Sequence, residues 1–239
     1  MISIRNLNHR FGDWPVLHDI NLELKEHRIA LIGTNGSGKS TLARTLNGLL
    51  IPDQGEVLVD GVDVRRQPVE ARRRVGFMFS DADSQIIMPT VAEDVGLGLR
   101  RFKYDKQRQR EEVSRVLQRY GLERHAEHSA HLLSGGQKQM LALASVLVTQ
   151  PKILICDEPT TLLDLHNVEL FVETIRGLEQ QVILLTHQLE IIEDFDRTII
   201  IDQGRVWFDG APLDAIARYK QLIRERRLKT SPVQREVAL

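Results

Sequence analysis

Apolar and polar residues alternate over positions 2–7 and again over 20–24. A two-residue period puts successive side chains on opposite faces, so both segments predict strands of a half-exposed sheet. Gly12-Asp13 and Lys25-Glu26-His27 supply the turns between them. The pattern then changes. Ile29-Ala30-Leu31-Ile32 is a continuous apolar run, as expected of a parallel strand buried on both faces. Residues 153–156, 182–185 and 198–202 repeat that type. A glycine-rich loop follows the first run, and Leu42, Leu46 and Leu49 then read as a helix. Pro52-Asp53-Gln54-Gly55 predicts a turn, and residues 56–59 a strand closed by Asp60-Gly61.

The middle of the chain differs. Residues 92–122 are highly charged, with Val113, Val116, Leu117 and Tyr120 at helical spacing. The basic and acidic residues between 100 and 119 read as the solvated face of helices rather than a nucleic-acid surface. Strands alternating with helices predict an α/β core, and the charged stretch predicts a helical insertion into it. From about Lys229 the chain reads as a loose tail.

Composition narrows the function classes. The 239 residues carry 32 basic and 33 acidic side chains, a net charge of −1. That balance argues against a general nucleic-acid binder. One cysteine leaves no internal disulfide framework and is consistent with a reducing compartment. No stretch approaches the roughly 20 apolar residues of a membrane helix. The opening Met-Ile-Ser-Ile-Arg lacks a signal-peptide layout. Work at a membrane would therefore need a spanning partner.

Residues 33–40 read Gly33-Thr34-Asn35-Gly36-Ser37-Gly38-Lys39-Ser40 and fit G-x-x-x-x-G-K-[ST] at every fixed position. Glycines let the backbone curl so that N–H groups point at phosphate oxygens, and the following helix offers its N-terminus to the same anion. Lys39 would contact the β- and γ-phosphates of a nucleotide, and Ser40 would hold Mg²⁺, with Thr41 beside it. Ile153-Leu154-Ile155-Cys156 then ends in Asp157-Glu158. Asp157 is the expected second metal-facing group, and Glu158 the carboxylate beside the attacking water. Adjacent carboxylates near phosphate repel, which favours a proton-accepting role for one of them. Cys156 reads as a small buried hydrophobe.

Leu133-Ser134-Gly135-Gly136-Gln137 makes the pattern specific. A glycine loop, then L-S-G-G-Q, then about 20 residues later an apolar strand ending Asp-Glu-Pro-Thr resembles an ATP-binding cassette ATPase over nearly the whole chain. The resemblance implies a P-loop NTPase (RecA-like) α/β core with an antiparallel β subdomain and an inserted α-helical subdomain. That helical part would span about 81–140 of an ATP-binding domain covering 1–228, with a tail over 229–239. It implies that Ser134, Gly135, Gly136 and Gln137 close on nucleotide held by a partner's glycine loop, so that only a head-to-tail dimer completes the sites. It also implies that Phe11 stacks on adenine, unless it is a core aromatic at a strand end. Asp164, in Thr161-Leu162-Leu163-Asp164, would contact the partner cassette, and His187 would reach the γ-phosphate. After Val75-Gly76-Phe77-Met78-Phe79 the family has a glutamine. Here Ser80 holds that place, with a shorter reach, and Gln85 is the other residue that could take the role.

Residues 81–95, Asp81-Ala82-Asp83-Ser84-Gln85-Ile86-Ile87-Met88-Pro89-Thr90-Val91-Ala92-Glu93-Asp94-Val95, resemble the ATPases of energy-coupling-factor importers, and the Phe-Ser step resembles the biotin importers among them. The group takes up vitamins and transition-metal ions. This implies a transmembrane coupling subunit, a substrate-binding membrane subunit and a place on the cytoplasmic face of the membrane. A cobalt or nickel importer is the nearest alternative, and a soluble cassette ATPase that remodels a macromolecular complex is the alternative of another class. Ile86, Ile87 and Met88 form an apolar cluster beside Asp81 and Asp83, either a docking surface for the membrane partner or packing inside the helical insertion.

Overall fold

The computed structural model describes residues 1–230. Residues 231–239, most of the expected tail, lie outside them. The strands are β1 (Ile2–Phe11), β2 (Trp14–Leu24), β3 (Arg28–Ile32), β4 (Gln54–Val59), β5 (Val62–Asp63), β6 (Val75–Met78), β7 (Ile153–Asp157), β8 (Gln181–Leu185), β9 (Arg197–Asp202) and β10 (Arg205–Gly210). The α-helices are α1 (Lys39–Leu46), α2 (Pro68–Arg74), α3 (Val91–Leu99), α4 (Lys106–Arg119), α5 (Gly135–Leu147), α6 (Leu165–Arg176) and α7 (Pro212–Thr230). None of the described helices is long and apolar enough to cross a membrane.

A six-stranded sheet runs in the order β10-β9-β3-β8-β7-β6. Its strands are parallel except for the β9–β10 hairpin. The continuous apolar runs account for its centre: every residue of β3 and β7 is buried. Alternate side chains serve opposite faces. Ile29 and Leu31 join a core with Ile2, Leu7, Leu42 and Leu46. Ala30 and Ile32 join the other, with Leu143, Phe171 and Ile175. Cys156 is fully buried, and burial pushes its thiol well above the ordinary range. The mixed α/β core and the antiparallel sheet match the sequence-based fold class.

The second sheet is antiparallel, in the order β2-β1-β4-β5. Here the strands outrun their sequence pattern. β1 continues to Phe11 and β2 starts at Trp14, against the expected 2–7 and 20–24. Irregularities in the β1–β2 register after Ile4, Leu7 and His9 explain the difference. A bulge inserts a residue into one strand and breaks the alternation that marks a strand in sequence. The turn expected at 52–55 is shorter, because Gln54 and Gly55 already belong to β4.

The charged middle folds as helices, but not as one. α3 and α4 are separated by residues 100–105, where Phe102 and Tyr104 stack with centroids 5.3 Å apart. Thr90 begins α3 with a reciprocal cap, its side chain and that of Glu93 each holding the other's backbone N–H. The neighbouring Asp94 is buried and ties the preceding loop to α5. Its Oδ1 accepts the Ile87 and Met88 N–H groups at 2.8 and 3.0 Å, and its Oδ2 accepts the Ser145 hydroxyl at 2.7 Å.

Candidate functional site

Four neighbouring parallel strands end on one edge of the large sheet, the edge where open α/β sheets bind ligands. β3 runs into Gly33, β8 into Thr186-His187, β7 into Asp157-Glu158 and β6 into Phe79-Ser80. The β1–β2 hairpin adds Phe11 and Trp14. A cavity of about 600 Å³ lies among these ends, lined by Phe11, Trp14, Val16, Asn35, Gly36, Ser37, Gly38, Lys39, Ser40, Thr41, Ser80, Glu158, Thr161 and His187. Residues as distant in sequence as Phe11 and His187 thus meet at one place.

The glycine loop is held on several sides. Gly204 donates its N–H to the Ser37 carbonyl at 2.9 Å, and His18 donates to the Gly204 carbonyl at 2.8 Å. At Gly33 an added Cβ would run into the Ile201 carbonyl oxygen, so the loop lies flat against β9. Gly38 has φ 104°, a left-handed conformation that side chains rarely adopt, immediately before α1.

The charged groups are packed tightly. Lys39 Nζ donates to the Gly33 carbonyl at 2.8 Å and the Thr34 carbonyl at 3.2 Å. Burial lowers its pKa, opposed by the charges of Glu158 and Asp157. Ser40 Oγ donates to Asp157 Oδ1 at 2.8 Å. Burial raises the Asp157 pKa, against the Ser40 bond and the Arg44 charge, with Glu158 raising it further and Lys39 lowering it. Glu158 lies between two bases: Oε1 is 3.9 Å from Lys39 Nζ, and Oε2 is 2.6 Å from His187 Nδ1. Its backbone has φ 54°, uncommon for a side-chain-bearing residue, and its N–H donates to the Leu185 carbonyl at 3.0 Å.

These groups suit a polyphosphate with a hard divalent cation. A hydroxyl in the first turn of α1 and a carboxylate at the end of β7 are oxygen donors of the kind Mg²⁺ takes, leaving its other positions to water and phosphate. Ser37 Oγ is buried without a partner and sits in the loop where a phosphate oxygen would lie. Together, the residues fit Mg²⁺ and ATP.

The other sequence-identified residues do not line this cavity. Ser134 caps α5: its hydroxyl accepts the Gln137 N–H at 3.4 Å, while Gln137 Oε1 accepts the Ser134 N–H at 2.9 Å. The Gln137 amide nitrogen is 3.0 Å from His125 Nε2, and His125 Nδ1 is 3.0 Å from His128 Nδ1. Asp164 caps α6, accepting the Asn167 backbone and side-chain N–H groups at 2.9 Å each. These bonds hold its carboxyl below the ordinary range. The two capped helices touch, since a Cβ on Gly136 would run into Asn167 Oδ1.

Three of the sequence-based expectations gain detail. Ser80 lines the cavity, whereas Gln85 is turned away, accepting the Phe79 N–H at 3.0 Å and donating to the Ala142 carbonyl at 3.4 Å. Phe11 is 53% exposed, which removes the core-aromatic alternative. The apolar trio divides: Ile86 joins the core, Met88 is half-buried and Ile87 is 72% exposed. Sequence reading missed Trp14. Its signal was position alone, one turn of chain after Phe11.

Comparison with known proteins gives the family. The ABC transporter profile matches residues 17–161, more than half of the chain. The chain belongs to the ABC transporter family. It has the family's ATP-hydrolysing cassette. An ABC transporter ATP-binding protein of Deinococcus radiodurans is 45% identical over 92% of this chain and 98% of its own. The biotin transport ATP-binding protein BioM of Rhizobium etli is 43% identical over 92% of this chain and 98% of its own. Among solved structures, cbiO1 from Clostridium perfringens, part of the ABC transporter complex cbiONQ, superposes with TM-score 0.81 and 32% identity over 100% of this chain and 98% of that one. A dimeric ATP-binding cassette in a post-hydrolysis state with ADP and Pi gives TM-score 0.79 and 27% identity over 89% of this chain and 99% of that one.

Proposed function

We propose that this cassette is the ATP-hydrolysing subunit of an energy-coupling-factor importer for biotin, acting as a head-to-tail homodimer on the cytoplasmic face of the membrane. The convergence of the glycine loop, Asp157, Glu158 and His187 at the strand ends carries the chemistry. The likeness to BioM supports the transported compound.

Lys39 and the loop N–H groups bind and orient the triphosphate, and Phe11 seats the base. Ser40 and Asp157 hold Mg²⁺, which when bound offsets charge on the outer phosphates. Glu158 orients a water and accepts its proton, while His187 fixes that carboxylate from the other side. Ser134, Gly135, Gly136 and Gln137 act on the partner's nucleotide. Gly135 leaves the first turn of α5 uncovered, where backbone N–H groups favour an anion, while Gly136 packs against Asn167. Asp164 positions the adjoining helix at the same face.

A transmembrane coupling subunit transmits closure, and a substrate-binding membrane subunit selects the vitamin. An open groove of about 560 Å³ between α3 and α4, lined in part by Met88, Leu97 and Val113, and the exposed Ile87 nearby support docking on the helical side. Purifying the chain with its membrane partners and identifying the bound small molecule tests the assignment. Biotin is expected. A cobalt or nickel ion, or another vitamin, would replace it while leaving the importer reading intact. Recovery without any membrane protein would favour a soluble remodelling ATPase.

A further inference from the structure

The cap of α5 continues into a chain of three side chains. Gln137 Oε1 accepts the Ser134 N–H at 2.9 Å, which leaves the amide nitrogen facing His125 Nε2 at 3.0 Å. An amide nitrogen only donates. His125 Nε2 therefore accepts, and its ring proton sits on Nδ1. That N–H meets His128 Nδ1 at 3.0 Å, so His128 carries its own proton on Nε2. One assignment satisfies every contact: both imidazoles neutral, each in one tautomer. His125 is half-buried and His128 is exposed, so a proton from solvent arrives first at His128. Charged neighbours come from three elements. Glu93 and Asp94 of α3 are committed to Thr90 and to Ile87, Met88 and Ser145, and Lys138 of α5 is paired with Asp83 at 2.7 Å. Glu123 and Glu127 line the α3–α4 groove with Lys106 and Arg110 of α4, and Arg124 and His131 are exposed on the same segment as the pair.

We propose that His125 is a positioning residue for the signature turn: as a neutral imidazole it holds the Gln137 amide in the orientation that caps α5, and protonation of the histidine pair reverses that amide. An added proton breaks the chain from either ring. On His125 it sets an N–H against the Gln137 amide nitrogen. On His128 it sets an N–H against that of His125, which must then carry its proton on Nε2 and meets the same amide nitrogen. Turning the amide over relieves both clashes. Its nitrogen then faces the Ser134 N–H, donor against donor, and the reciprocal cap opens. The inference rests on the reading that Ser134 and Gln137 act on the partner's nucleotide.

The test compares ATP hydrolysis by the full chain with that of two variants, each checked for folding by thermal melting. His125→Phe removes the acceptor. At about pH 7.5 its kcat should fall about three- to tenfold, the worth of one hydrogen bond, with ATP binding to its own glycine loop unchanged. The double variant His125→Gln with His128→Gln supplies an amide oxygen as acceptor and cannot titrate. Its kcat at about pH 7.5 should lie within about twofold of the parent. Between about pH 7.5 and 6, where imidazoles titrate, the parent should lose at least about threefold more activity than the double variant. Nitrogen NMR of the ring-labelled parent should show His125 protonated on Nδ1 at the upper pH. Parent-like kcat in His125→Phe, an equal acid-side fall in the double variant, or a proton on His125 Nε2 would each overturn the inference. Full activity of Ser134→Ala, with the His125 tautomer as expected, would instead reject the signature reading on which it rests.

Discussion

His187 Nδ1 lies 2.6 Å from Glu158 Oε2, at the ends of neighbouring strands β8 and β7. The imidazole holds one oxygen of the carboxylate while Lys39 Nζ approaches the other at 3.9 Å. Glu158→Gln keeps the shape and removes the charge. ATP binding should persist and hydrolysis should fall on the order of a hundredfold or more. Single-turnover hydrolysis and equilibrium nucleotide binding separate the two, and near-normal turnover would remove Glu158 from its role.

Asp157 makes a different prediction. Burial raises its pKa above that of the unfolded chain, so its contribution to stability is greatest below the ordinary carboxylate range and is lost as pH rises through the raised pKa. It is 5% exposed and lies beside the carboxylate of Glu158. Asp157→Asn keeps an acceptor for the Ser40 hydroxyl. The free variant should be at least as stable as the parent at pH 7, with a flatter stability profile through the acidic range. It should also lose the extra stabilisation by Mg-ATP. Denaturant melts across pH, with and without Mg-ATP, check both parts.

Ser134 caps α5 outside its own chain's cavity. If it serves the partner's nucleotide, a dimer of one Lys39→Ala chain and one Ser134→Ala chain retains one intact composite site. Mixing the two inactive proteins should restore part of the ATPase activity. Activity no higher than that of the separate variants would reject either action across the dimer or independent firing of the two sites.

Ile87 is exposed beside the helical groove, while its neighbour Ile86 is in the core. Ile87→Glu should leave folding and ATP binding of the chain unchanged and detach the membrane partner or abolish uptake. Co-purification with the membrane subunits checks it, and full transport by the variant would exclude docking there. Ile86→Glu, by contrast, should unfold the helical side, because it buries an unpaired charge.

The site was legible where its chemistry is contiguous in sequence. The glycine loop and the Asp157-Glu158 strand end announce themselves because one backbone segment must supply several groups at fixed spacing. The buried parallel strands were equally plain, since both of their faces are apolar. The bulged part of β1 was not, because the extra residues destroy the alternation that signals a strand. Nor does composition reveal side-chain direction in a turn: Ile86, Ile87 and Met88 look alike in sequence, but the loop points them into three environments. Gln85 could not be separated from Ser80 for the same reason. Trp14 was invisible because a single exposed aromatic after a turn has no periodicity to mark it.

The contact between Gly136 and Asn167 links the fates of three positions. Asn167 is held by two bonds to Asp164, and its side-chain oxygen fills the space that any Cβ at 136 would need. Gly136→Ala should cost about 1–3 kcal/mol, as an overpacked contact does. A smaller residue at 167 could make room, but it would surrender one of the bonds that fix Asp164. Positions 136, 164 and 167 therefore form one unit of inheritance. Among descendants of this sequence, a change at one should survive only when another has already moved to accommodate it.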